Sequence, residues 1–224
     1  DEGKFGKLSH GTAHVRWNRG KDYYTQAPWR GTWEQDGGAL MNQCIHNIDL
    51  LRWLMGGQIA EVYGVTKRQF HDYLEVEDLG TALVRFKNGA VGIIEGTTNV
   101  YPTNLEETLY LFGEKGTAKA GGKSVNLLEE FKFADFGEDL DAFKADHSEM
   151  PPNVYGFGHT RVYDDMIHAI TDNRDPYVTA KDGRDALELV LAIYLSSALS
   201  QPVRLPLTNL STQNFLGVFT GRVE

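Results

Sequence analysis

The run Leu79-Gly80-Thr81-Ala82-Leu83-Val84-Arg85-Phe86-Lys87-Asn88-Gly89-Ala90-Val91-Gly92-Ile93-Ile94-Glu95-Gly96-Thr97-Thr98-Asn99 decides the fold class. Two apolar, β-branched stretches flank Asn88-Gly89, and Asn-Gly is the strongest short hairpin signal because both residues tolerate positive φ. Strands over 79–87 and 90–99 follow. Upstream, His10, Thr12, His14 and Arg16 alternate with Ala13, Val15 and Trp17, the period of a strand with two unlike faces. Residues 59–69 read as another strand. Residues 108–112 turn at Gly113-Glu114-Lys115-Gly116 into 117–120. Two helices close the chain, over 160–171 and 181–200, with Pro176 between them and Thr179 placed to cap the second. Residues 203–207 form a last short strand. Consecutive strands joined by tight turns make a sheet mostly antiparallel, and so few helices can cover only one face. The predicted class is α+β: one domain over 1–224, a large open-faced sheet with helices mainly on one side.

Composition narrows the function. The chain has 224 residues, 22 Lys+Arg against 31 Asp+Glu, a net charge of −9 and 41% hydrophobic residues. That hydrophobic share supports a real core. The acidic balance argues against a general nucleic-acid surface. The densest apolar stretch, 187–199, is broken by Glu188 and several serines, so no membrane span is expected. The start, Asp1-Glu2-Gly3-Lys4, has no apolar continuation of the signal-peptide kind, and a cytoplasmic home is the expectation. One cysteine, Cys44, excludes an intrachain disulfide and a cysteine-based zinc site. Eight acids between 129 and 149 (Glu129, Glu130, Asp135, Glu138, Asp139, Asp141, Asp146, Glu149) read as a solvated, loop-rich excursion.

The most informative segment is Gly37-Gly38-Ala39-Leu40-Met41-Asn42-Gln43-Cys44-Ile45-His46-Asn47-Ile48-Asp49-Leu50-Leu51-Arg52-Trp53-Leu54. Its period predicts one helix from Gly38 to about Met55, stopped by Gly56-Gly57. Met41, Cys44, Ile45, Ile48, Leu51 and Met55 form the apolar face; Asn42, His46, Asp49 and Trp53 form a polar stripe. Asn42 and His46, four apart, can reach one ligand group together. His46 suits acid/base work or hydrogen bonding to a hydroxyl. The alternative is a histidine bonded to Asp49 in an ordinary amphipathic helix. No third ligand supports a metal there.

This segment, with Trp33 ahead of it, resembles the signature of the second domain of the Gfo/Idh/MocA oxidoreductases, NAD(P)-dependent sugar and inositol dehydrogenases. The similarity continues through Gly80…Phe86-Lys87-Asn88-Gly89-Ala90, Phe112-Gly113-Glu114-Lys115-Gly116-Thr117 and Gly158-His159…Asp185-Ala186-Leu187-Glu188…Ile193-Tyr194…Ser197-Ala198. The resemblance implies a sheet like that of the C-terminal domain of glyceraldehyde-3-phosphate dehydrogenase. It also implies Asn42 and His46 facing the reacting carbinol, NAD or NADP bound mainly by an N-terminal Rossmann domain not visible in this sequence, and a homo-oligomer joined through sheet faces that include 79–99. Many members have Asp at the position of Asn42, which cannot ionise. The family's catalytic lysine in a Glu-Lys-Pro segment is also not visible. Gly156-Phe157-Gly158 begins like a dinucleotide fingerprint but lacks its third glycine.

The aromatic loop Tyr23-Tyr24…Trp29-Arg30-Gly31-Thr32-Trp33 offers ring faces for a sugar or base and a guanidinium for a phosphate or carboxylate. Arg16 and Arg19, near the end of the first strand, can join it. The loop and the Asn-bearing helix resemble members acting on UDP-N-acetyl-hexosamines and their 3-oxo products. His159 and Tyr163, at the start of the third helix, complete the candidate substrate residues Arg16, Tyr23, Tyr24, Arg30 and Trp33; the catalytic candidates are His46 and Asn42. The expected activity is oxidation of a ring hydroxyl of a sugar, nucleotide-sugar or inositol, with this chain inactive by itself. The competing reading is a stand-alone carbohydrate-binding or scaffold module without redox chemistry.

Overall fold

The computed structural model describes residues 3–134, 140–148, 150 and 156–220. Their order is β1 (Leu8–Arg16), α1 (Lys21–Tyr24), α2 (Ala39–Asn42), α3 (Ile45–Leu54), β2 (Ile59–Lys67), β3 (Leu79–Phe86), β4 (Val91–Thr97), β5 (Glu106–Gly113), β6 (Gly116–Gly121), β7 (Leu127–Phe133), α4 (Leu140–Asp146), α5 (Gly158–Thr171), α6 (Ala180–Leu199) and β8 (Val203–Arg204). The strands form one sheet in the order β7-β6-β5-β1-β4-β3-β2-β8. All neighbours run antiparallel except β1 and β4. The β3–β4 hairpin forms as the sequence predicts. Its loop has three residues, not two: Gly89 N–H donates to Phe86 O at 3.0 Å, Phe86 N–H to Ala90 O at 3.0 Å, and Gly89 has φ +88°.

One face of the sheet carries the core. Val62, Val84, Ala82, Ile94, Ala13, Leu109 and Leu111 point to it and are buried. α3 lies across β1, β4 and β5, and α6 lies across β2. The helices approach closely because the strands offer glycine there. A Cβ on Gly80 would stand 2.5 Å from a Leu40 methyl, and one on Gly96 would stand 2.6 Å from Cys44 Sγ. Leu40, Ile48, Leu51 and Met55 are thereby sealed, each worth roughly 1.5–3 kcal/mol of apolar burial. The edge of β2 is covered by α6, where Ser196 Oγ accepts Gly64 N–H and Ser197 Oγ accepts Thr66 N–H, both at 2.9 Å.

The opposite face is open. Register aligns Tyr63, Leu83, Ile93, Thr12 and Tyr110 in one row across five strands. In that face Leu83 is 53% exposed and Ile93 38%. His10 stacks on Phe112, and His14 meets Thr108 at 3.2 Å, so both histidines belong to the sheet surface.

Two local expectations need correction. The helix over 38–55 is two pieces, because Cys44 N–H bonds Ala39 O at 3.1 Å instead of Leu40 O, which breaks the i→i−4 ladder between Asn42 and Ile45. The acidic excursion contains regular structure: Glu129 and Glu130 lie in β7, and Asp141 and Asp146 in α4. Asp135, Glu138, Asp139 and Glu149 lie outside the described residues. β7 escapes a sequence reading because its acids are read as solvated loop, yet Lys119 pairs with Glu129 across the β6–β7 ladder. The capping expectation for α6 holds as a full capping box between Thr179 and Asp182.

Candidate functional site

The start of α2 rests on one buried acid. Glu77 is fully buried; its backbone carbonyl accepts Ala39 N–H at 3.0 Å and its Oε1 accepts Leu40 N–H at 2.9 Å. Tyr194, from α6, donates its hydroxyl to the same Oε1 at 2.9 Å and accepts Gly38 N–H at 3.3 Å. Glu77 thus supplies acceptors to donors that every helix N-terminus leaves unpaired. Burial pushes its carboxyl up to about 8, because an isolated charge in this core is costly. The neighbouring Asp78 acts differently: its carboxylate accepts the backbone N–H groups of Gln69, Phe70 and His71, each at 2.8 Å, and pins the loop after β2.

Around the end of α2 the side chains form a polar knot. Asn42 donates Nδ2–H to Asp36 Oδ1, and its Oδ1 accepts from Gln43 Nε2 and, at 3.5 Å, from the Tyr23 hydroxyl. Gln43 also donates to that hydroxyl at 2.9 Å. Arg30 lies over the Tyr23 ring at 4.1 Å and bonds Tyr23 O at 2.7 Å; Arg19 stands over the same ring at 5.2 Å. Two cations therefore flank one tyrosine, a charge arrangement that suits an anionic ligand. The Arg30 Nε–H is buried with no partner among the described residues.

His46 sits in the first turn of α3 with its side chain exposed. The alternative that binds it to Asp49 is corrected: Asp49 pairs with Arg52, at 2.9 Å, and Arg52 reaches on toward Asp185 at 3.9 Å. The carboxylate is thus committed to Arg52, the side chain that joins α3 to α6, and the imidazole is left facing solvent. Because of the break at Cys44, Asn42 and His46 come from consecutive helical pieces.

The structure separates the other candidates. Arg16 is on the open face, bonded to Glu95 at 2.8 Å and to Glu106, so it does not join the aromatic loop; Arg19 does. Strand alternation places Arg16 opposite Ala13, yet it cannot say which face the helices will cover. Trp33 is 1% exposed, edge-on to Tyr194 and stacked on Phe219, so it is a core residue apart from the knot around Asn42. Tyr24 is likewise buried, with its hydroxyl donating to Thr98 Oγ1 at 3.3 Å. His159 and Tyr163 lie on the exposed first turns of α5. A cavity of about 580 Å³ between the β2 edge, the end of α6 and residues 215–219 is lined by Trp33, Tyr63 and Phe219, and by none of Asn42, His46, Tyr23 or Arg30.

Two acids at this end of the sheet were not among the sequence candidates. Asp36, half-buried, is described above. Glu107, on the helix-covered face, is pushed up to about 7 by burial. Neither has a sequence signal, since only the fold decides that a carboxylate is desolvated. Among the described residues no cluster of three or more His, Cys, Asp or Glu could hold a metal, and no helix is long and apolar enough to cross a membrane.

The family model of the GFO/IDH/MocA C-terminal domain matches residues 1–119. The chain is 27% identical over 175 residues to the uncharacterized oxidoreductase YrbE of Bacillus subtilis, covering 75% of this chain and 48% of that protein. Among solved structures it is similar to the WlbA dehydrogenase from Bordetella pertussis in complex with NADH and UDP-GlcNAcA, with 39% identity and a TM-score of 0.85, over 92% of this chain and 59% of that one. The WlbA enzyme from Chromobacterium violaceum, in complex with the same two ligands, gives 38% identity and a TM-score of 0.82, over 93% and 57%. The chain spans about half the length of the curated relatives it matches. A matched model over more than half the chain, the open-faced sheet and the two helical pieces after Gly37-Gly38 that carry Asn42 and His46 together place this chain in the GFO/IDH/MocA C-terminal domain family.

Proposed function

We propose that this chain is the substrate-binding and oligomerisation domain of an NAD(P)-dependent oxidoreductase that oxidises a ring hydroxyl of a nucleotide-linked sugar. The observation that carries the reading is the polar knot itself: an exposed His46 beside an Asn42 held by its neighbours, with Arg30 and Arg19 flanking Tyr23 a few ångströms away. The 39% identity to a WlbA dehydrogenase crystallised with UDP-GlcNAcA supports the nucleotide-sugar class over a free sugar or inositol.

The described residues do not fit a dinucleotide. β1 and β4 are the parallel pair of the sheet, and Gly158 is the exposed first residue of α5, with no third glycine to complete a dinucleotide fingerprint. The cofactor belongs to a separate nucleotide-binding domain, where its nicotinamide supplies the hydride acceptor. α5 offers a surface for further polypeptide: Val162 (65% exposed), Met166 (45%) and Ile170 (74%) line one side of the helix. His46 hydrogen-bonds the hydroxyl oxygen and relays its proton. Asn42 fixes the position of that oxygen. Arg30 and Arg19 hold the anionic end of the substrate. A second copy of the chain covers the open sheet face around Leu83 and Ile93.

The test is His46→Ala in the longer polypeptide. Loss of a positioned acid/base group lowers kcat by roughly 10²-fold or more, while the exposed ring leaves the melting temperature unchanged. Unchanged turnover would remove His46 from the mechanism.

A further inference from the structure

Asp36 lies in the loop before α2, half-buried, with no salt bridge among the described residues. Its Oδ2 accepts Gly31 N–H at 2.7 Å and its Oδ1 accepts Asn42 Nδ2–H. Arg30 is the charged group facing it, yet the Arg30 Nη1 bonds go to Tyr23 O at 2.7 Å and Gln26 Oε1 at 3.1 Å rather than to Asp36. The Tyr23 hydroxyl lies on the far side of Asn42. Burial raises the Asp36 carboxyl, against the pull of Gly31, Asn42 and Arg30.

An asparagine amide has one oxygen with two lone pairs and two N–H donors. In Asn42 the oxygen takes Gln43 and Tyr23, and one N–H takes Asp36. The polar atom left for a ligand is the second N–H. Turning the amide over would set its oxygen against a carboxylate oxygen, two acceptors with no proton between them. Asp36 therefore decides which end of Asn42 faces the substrate.

We propose that Asp36 is a positioning residue whose carboxylate locks the Asn42 amide so that Asn42 presents a donor, and so selects an acceptor oxygen in the substrate. This rests on the reading above. It deepens that reading, because an oxygen passing from hydroxyl to ketone accepts a hydrogen bond throughout the oxidation, and a donor held beside it stabilises the charge that develops.

Three variants of the longer polypeptide test this. Asp36→Asn keeps an acceptor for Gly31 N–H but lets the Asn42 amide turn; kcat should fall about tenfold or more, the scale of a misplaced positioning group, with KM nearly unchanged. Asn42→Asp replaces the donor by an acceptor and sets two carboxylates together. kcat should fall at least as far, with the acid limb of its pH profile moved upward. The exchange Asp36→Asn with Asn42→Asp rebuilds one carboxylate–amide bond with its polarity reversed. It should recover thermal stability and leave kcat low. Recovery of both would show a merely structural pin and overturn the proposal, as would unchanged kcat in Asp36→Asn. A readout independent of turnover is the Asn42 side-chain amide followed by NMR. Its protons should shift as Asp36 titrates, and a flat response overturns the lock even if no sugar is oxidised. Conversely, a titrating amide in a polypeptide that oxidises no sugar or nucleotide-sugar would keep the lock and refute the proposed function alone.

Discussion

Replacing Glu77 with glutamine should remove most of the pH dependence of stability between about pH 4.5 and pH 8. Burial lifts this carboxyl from 4.5 to about 8 in the folded protein. Across that window the folded chain keeps a proton that the unfolded chain has released. The contribution is therefore complete below the unfolded value and is lost as pH climbs through the folded one. A rise from 4.5 to about 8 corresponds to on the order of 5 kcal/mol, an upper figure for a group this deeply buried. Glutamine keeps an oxygen for Leu40 N–H and the Tyr194 hydroxyl. Its amide has no partner waiting at Oε2, which already has none, so the variant carries a constant penalty of about 1–3 kcal/mol. Urea unfolding of both proteins at pH 5, 6.5 and 8.5, chosen to bracket about pH 4.5–8, gives the two curves. Glu107, raised to about 7, is present in both and cancels in the difference. The wild type should lead most at the acidic end and lose several kcal/mol of that lead by the basic end. Parallel curves would mean that Glu77 is ionised in the folded state, and would refute the reasoning.

Gly38→Ala would set a Cβ 1.6 Å from Glu77 Oε2, so it should abolish folding or cost more than about 3 kcal/mol, whereas Gly20→Ala, which meets nothing within 4 Å, should be neutral in thermal melts. Leu83→Arg on the open face should convert a sedimenting dimer into a monomer with an unchanged circular dichroism spectrum, and a monomeric wild type at micromolar concentration would refute the interface. Arg30→Ala should weaken UDP-sugar binding about tenfold or more, the scale of a charge-assisted hydrogen bond, while free sugar binding stays within about twofold; equal losses would refute the nucleotide role.

The sequence discloses what repeats locally. The 79–99 hairpin, the alternation of β1 and the capped α6 each follow from spacing within a few residues, and the structure contains all three. The meeting of Asn42, Tyr23 and Arg30 was legible for the same reason, since neighbouring segments of the chain hold them. Long-range facts were not legible. Alternation puts Arg16 on one face of β1, but only the docking of α3 makes that the wrong face. An aromatic loop invites a ligand at every ring, but Trp33 and Tyr24 are consumed by packing against Tyr194, Phe219 and Thr98. Glu77 carries no local signal either, since the Tyr194 hydroxyl it accepts lies more than a hundred positions away.

The central claim is that this domain binds a nucleotide-sugar and presents its ring hydroxyl for oxidation. The most direct measurement is NADH formation by the longer polypeptide with NAD and UDP-GlcNAcA, the ligand in the crystallised WlbA complexes, set beside the free sugar and myo-inositol at equal concentration. The account predicts turnover with the nucleotide-sugar, lost in His46→Ala and weakened in substrate affinity by Arg30→Ala. Turnover with free sugar or inositol at equal or higher kcat/KM, or turnover indifferent to His46, would contradict it.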